Sequence, residues 1–124
     1  MGLRSANPMN ILVVEDNNDF RELLCEMLRM LGHTVASEAS AEQALIRLNT
    51  EEPDLVITDL TLPGMSGVDL AKQIHASYPE IKIILSSGYG LPVGANLDFK
   101  VGVLSKPYSL NQLIQALGQI STQN

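Results

Sequence analysis

Four short, largely apolar runs recur along the chain: Ile11–Val14, Leu55–Ile57, Ile81–Leu85 and Val101–Leu104. A fifth, weaker run spans His33–Glu38. Stretches with apolar residues three and four positions apart fill the gaps between them. Strands that alternate with helices need crossover connections, so the pattern predicts an α/β domain with a parallel sheet and helices on both faces. Runs apolar throughout suit strands buried on both sides. His33–Glu38 has little apolar content and belongs at the sheet edge.

The polar residues between the runs supply helix starts and stops. Asn17 and its neighbours can cap a first helix, Phe20–Leu31, in which Phe20, Leu23, Leu24, Met27, Leu28 and Leu31 recur at three- and four-residue steps, with Gly32 as its carboxyl-terminal stop. Ser40 can cap Ala41–Asn49, with Ala44, Leu45 and Leu48 inward. The third strand is set at Asp54–Thr58. A helix over Ser66–Ser77 follows, with Val68, Leu70, Ala71 and Ile74 inward and His75 toward solvent. Ser109 can cap Leu110–Ile120, with Leu113, Ile114, Leu117 and Ile120 inward. Pro92 and Gly94 oppose a long helix in Leu91–Lys100, which predicts a short helix or an irregular segment there.

Length and composition bound what such a chain does. Its 124 residues suffice for one domain with a core. No run is long and apolar enough to cross a membrane. A single cysteine, Cys25, forms no internal disulfide and reads as a core thiol, which fits a reducing, cytoplasmic setting. A net charge of −6 without a basic cluster disfavours direct nucleic-acid binding. Residues 1–9 are expected to be a loose leader, 10–121 the domain and 122–124 a tail.

In an open parallel sheet the strand ends converge on one edge, where ligands bind. Here they bring Glu15 and Asp16 from the first strand, Asp59 from the third, Ser87 from the fourth and Lys106 from the fifth. Each alone has a plain alternative as a cap, turn residue or solvated charge. Together, three carboxylates repel one another unless a cation joins them. Oxygen-only ligands favour Mg²⁺ over softer metals, since no Cys or His stands at a strand end. A carboxylate can also accept a phosphoryl group as an acyl phosphate, with charge neutralised by metal, ammonium and hydroxyl.

The pieces ILVVEDN (Ile11–Asn17), DLVITDLTLPGMSG (Asp54–Gly67), ILSSGYG (Ile84–Gly90) and LSKPY (Leu104–Tyr108) closely resemble the receiver domain of two-component response regulators, over roughly Asn10 to Ile120. The resemblance implies a single flavodoxin-like (CheY-like) doubly wound domain, its five-stranded sheet in the order 2-1-3-4-5. It implies Asp59 as phosphoacceptor, Ser87 as switch hydroxyl and Lys106 as phosphate-binding residue. It also implies Mg²⁺ held by Asp16, Asp59, the backbone carbonyl of Thr61 and, through water, Glu15. A cis Lys106-Pro107 bond is expected, a geometry proline permits. The implied partners are a histidine kinase or histidine phosphotransfer protein, with any output domain outside these residues. Such a domain is not a conventional enzyme; its own turnover would be hydrolysis of the acyl phosphate. If the chain came from a hybrid sensor kinase, as SGY after the fourth strand hints, kinase activity would belong to the larger protein.

Two departures from the family stand out, the first being the region of the fourth helix, which is short and broken by Pro92 and Gly94. Receivers usually carry Phe or Tyr three residues before the lysine, and here that residue is Val103. A switch is therefore expected in the backbone of Ser86–Lys100, with Tyr89 as its reporter. Three other readings compete. A pseudo-receiver acting only through protein contacts is disfavoured by the intact Glu15, Asp16, Asp59, Ser87 and Lys106 set. A flavodoxin-like nucleotide-binding protein would need a Gly- or hydroxyl-rich loop after the first strand, where this chain has acidic residues. An Asp-based phosphatase would want a second Asp where Thr61 stands.

Overall fold

The computed structural model describes residues 8–88 and 97–121. Five strands and four helices follow one another: β1 Asn10–Val14, α1 Asn18–Met30, β2 Thr34–Glu38, α2 Ala41–Leu48, β3 Leu55–Asp59, α3 Gly67–Ser77, β4 Lys82–Ser87, β5 Gly102–Ser105 and α4 Leu110–Ser121. All neighbouring strands pair in parallel, in the order β2-β1-β3-β4-β5. β2 lies at the edge, as its composition predicts. The short helix or irregular segment expected in Leu91–Lys100 falls mostly outside the described residues, as do Tyr89, Gly90 and Gly94. Residues 97–100 form no helix.

The expected caps form. Asn17 accepts from Phe20 N and Ser40 from Gln43 N, while Ser66, expected as the first residue of its helix, instead caps α3 by accepting from Asp69 N. Ser109 and Gln112 cap α4 reciprocally, each backbone N–H donating to the other's side chain. Gly32 takes a φ of 97°, the left-handed turn expected after α1.

Strand side chains alternate between two cores. Ile11, Val13, Leu55, Ile57, Ile84 and Leu104 pack against α1 and α4. Leu12, Val14, Val56, Ile83 and Leu85 pack against α2 and α3. On two helices the period alone does not select the buried face. Leu23 is 52% exposed while Cys25 is buried, so the stripe of α1 runs through Leu24, Cys25, Leu28 and Leu31. On α4, Ala116 is buried and Ile114 lies at the surface. Both helices carry apolar residues over more than one stripe, and tertiary packing selects which is covered. His75 is not simply solvated: its ring stacks on Phe99, with centroids 4.1 Å apart.

Candidate functional site

The alternation that builds the cores also aims the strand ends. Continuing from Val13, Ile57, Ile84 and Leu104, the same face receives Glu15, Asp59, Ser86 and Lys106. Asp59 stands in register with Ser86, whereas Ser87 ends β4 opposite Ser105. The structure therefore brings Glu15, Asp16, Asp59 and Lys106 together. Ser87 is buried at the end of β4, and its carbonyl accepts from Lys106 N at 2.8 Å. Thr61 is exposed in the loop after Asp59.

Glu15, Asp16 and Asp59 each offer a carboxylate oxygen within 4.8 Å of the others. Glu15 is buried, Asp59 half-buried and Asp16 exposed. Lys106 Nζ donates to Glu15 Oε1 at 2.7 Å and lies 3.4 Å from Asp59 Oδ2. One ammonium among three carboxylates leaves the group net negative. That surplus, and the all-oxygen donor set, fit a hard divalent cation.

The turn after β1 is knit around Glu15. Its Oε2 accepts from Asn17 N, and Arg21 donates to its backbone carbonyl at 2.7 Å and to Asn18 Oδ1 at 2.6 Å. The turn after β3 is fixed differently. The Gly67 N–H donates to the Leu60 carbonyl, and a Cβ on Gly67 would collide with the backbone carbonyl of Asp59. Glu42 on α2 accepts from Met65 N at 2.9 Å, and this bond holds its pKa below the usual value.

Two aromatic residues complete the surroundings of Lys106, and the sequence reading assigned neither to the site. The Phe20 ring lies beneath the ammonium, 4.3 Å from its centroid. Tyr108 meets Phe20 edge-on, with centroids 5.7 Å apart and planes at 86°. Burial, then the charge of Glu15, drives the Tyr108 pKa well above its ordinary value. Its hydroxyl and that of Ser86 are close, yet neither completes a well-formed hydrogen bond. The Lys106-Pro107 bond is cis, as expected. Phe20 was legible only as a core residue, because cation–π contact leaves no spacing signal.

A cavity lined by Thr34, Val35, Arg47 and Pro53 lies by the opposite, amino-terminal ends of β1 and β2 and shares no residue with this group. The carboxylates instead lie at the carboxyl ends of β1 and β3, with Asp16 the exposed member of the group.

The family description "Response regulator receiver domain" matches residues 11–118. Among curated proteins, the chain is 34% identical to the C4-dicarboxylate transport transcriptional regulatory protein DctD of Rhizobium meliloti, covering 90% of this chain and 25% of that protein. It is 30% identical to the chemotaxis protein CheY of Thermotoga maritima, covering 90% of this chain and 96% of that one. The signal receiver domain of an HD domain-containing protein from Pseudomonas fluorescens superposes with a TM-score of 0.83 at 31% identity, over 93% of this chain and 95% of that one. The chain thus spans about the whole of CheY but only a quarter of DctD. A sheet in the expected order, an acidic group at its carboxyl edge and a match through nearly every element agree: this chain belongs to the response regulator receiver domain family.

Proposed function

We infer that this domain accepts a phosphoryl group on Asp59 from a phosphohistidine of a histidine kinase or phosphotransfer protein. The observation that carries the reading is that the Asp59 carboxylate lies 3.4 Å from the Lys106 ammonium and within 4.8 Å of carboxylate oxygens of Glu15 and Asp16. A carboxylate oxygen of Asp59 attacks phosphorus, forming the O–P bond of an acyl phosphate. The P–N bond to the donor imidazole breaks, and that ring keeps the electron pair and takes up a proton. Lys106 serves as a point charge for one phosphoryl oxygen, and its ammonium already lies 3.4 Å from Asp59. Ser87 supplies a hydroxyl once the end of β4 turns toward the phosphoryl group. Such rearrangement follows because both donors gain a charged acceptor.

Asp16, Asp59 and the Thr61 carbonyl would hold Mg²⁺, with Glu15 acting through water. When bound, the ion supplies positive charge that offsets carboxylate repulsion and the charge on the phosphoryl oxygens. The finding that all three carboxylates crowd within 4.8 Å, with Lys106 the paired cation among the described residues, supports this fit.

Phosphorylation then biases a conformational equilibrium or passes the group onward. An output domain, where one exists, lies outside this chain. The test is incubation with acetyl phosphate and Mg²⁺ followed by intact mass measurement. Wild type should gain one phosphoryl group and Asp59→Asn none. An unchanged wild-type mass, or an equal adduct on Asp59→Asn, overturns the assignment. The pseudo-receiver alternative predicts that unchanged mass.

A further inference from the structure

Lys106 has two charged neighbours and one uncharged neighbour. Its stem is long and flexible, and two carboxylates compete for its head: Glu15 at 2.7 Å and Asp59 at 3.4 Å. Hydrogen bonding alone would let the ammonium settle on Glu15 or follow an incoming oxygen elsewhere. The Phe20 ring, 4.3 Å away, attracts the cation over its face without using a carboxylate oxygen. The ring is itself located at both ends. Its backbone N–H is bound by Asn17 Oδ1 at 2.9 Å, and its edge is met by Tyr108. Both supports come from segments that carry site residues: Asn17 follows Asp16, and Tyr108 follows Lys106 by two positions.

We propose that Phe20 is a positioning residue for Lys106: its ring face, braced by Tyr108, keeps the ammonium beside Asp59 so that it meets the phosphoryl oxygens without a search. This deepens the reading of Asp59 as phosphoacceptor and rests on it. The ring touches neither the phosphoryl group nor Asp59 in this scheme; it acts through the ammonium. Leucine would fill much of the same space with no quadrupole, whereas tyrosine would keep the face.

The experiment compares Phe20→Leu and Phe20→Tyr with wild type, and repeats Phe20→Leu in a Lys106→Met background. The ε-methylene proton and carbon resonances of Lys106 report the ring directly, through its ring current. Phosphorylation rate from acetyl phosphate with Mg²⁺ reports the consequence. Phe20→Leu should move the Lys106 resonances toward their free values and slow phosphorylation by about threefold to tenfold. Phe20→Tyr should restore both. In the Lys106→Met background, Phe20→Leu should slow the reaction no further. A merely structural role would lower the urea midpoint and slow both backgrounds by the same factor, leaving no special dependence on Lys106. Unmoved Lys106 resonances in Phe20→Leu, or an equal fractional loss in Lys106→Met, overturns the proposal. Wild type that gains no phosphoryl mass overturns the phosphoacceptor reading. The Lys106 resonances still show, separately, whether the ring holds the ammonium.

Discussion

Lys106 Nζ lies 2.7 Å from the Glu15 carboxylate, across 91 residues of sequence, and closer to it than to Asp59. The Glu15 side chain is only 4% exposed and that of Lys106 22%. A buried carboxylate that loses its cationic partner keeps its desolvation penalty. Lys106→Met should therefore lower the stability of the metal-free protein by about 1–3 kcal/mol. The double variant Lys106→Met/Glu15→Gln should recover part of that loss. Urea denaturation checks both, and equal midpoints for wild type and Lys106→Met would show the pair to be energetically idle.

Metal dependence should divide the three carboxylates. Asp16 is exposed and has no ion-pair partner among the described residues, so its charge is available to a cation. Glu15 is already engaged by Lys106 and Asn17 N. Asp16→Ala should abolish the rise in melting temperature with Mg²⁺, and Glu15→Ala should only weaken it. At a Mg²⁺ concentration one hundred times its Kd, the wild-type gain is about 2.7 kcal/mol. Identical Mg²⁺ titrations of wild type and Asp16→Ala would remove Asp16 from the metal site.

The sheet was legible because its signal is local: short apolar runs, capping residues and turn glycines each act within a few positions. Glu15, Asp16, Asp59 and Lys106 were legible for the same reason, as polar residues ending apolar runs. What stayed hidden depends on rotation and on contacts distant in sequence. Cys25 reads correctly as a core thiol, but Leu23 also fits the helical period, and only tertiary packing leaves it exposed. Phe20 and Tyr108 meet because α1 and the segment after β5 lie on one face. Glu42 reaches Met65 across two elements, with no pattern in the chain to announce it.

His33 gives the stability a pH dependence of known sign. It is buried, its Nδ1 accepts from Met9 N at 3.0 Å, and burial alone lowers its pKa. Above about pH 7 the imidazole is neutral in both folded and unfolded chains and adds no slope. As pH falls through about 6.5, the unfolded chain takes up the proton first, so stability declines until the folded imidazole also titrates. His33→Gln keeps an acceptor for Met9 but cannot titrate. Its unfolding free energy should vary less than wild type between about pH 7 and pH 5. Parallel curves for the two proteins would contradict this.

Two glycines should respond in opposite directions to the same substitution. A Cβ at Gly67 would strike the Asp59 carbonyl oxygen and lie 2.9 Å from Leu60 Cα, and both obstacles are backbone. Neither side can yield easily. Leu60 N is tied to Ser86 O and Gly67 N to Leu60 O, each at 2.9 Å, while Ser66 caps α3 from the preceding position. Gly67→Ala must push the start of α3 away from the end of β3, at about 2–3 kcal/mol, and Asp59 moves with that backbone. Phosphorylation should then slow although every proposed site residue is intact. Gly118 lies exposed within α4, where a Cβ meets nothing within 4 Å. Gly118→Ala should stabilise by about 0.5–1 kcal/mol through helix propensity and leave the phosphorylation rate unchanged. Urea midpoints and acetyl phosphate kinetics on the two variants give the comparison. A Gly67→Ala protein as stable and as reactive as Gly118→Ala would mean that close approach of α3 does not hold Asp59 in place.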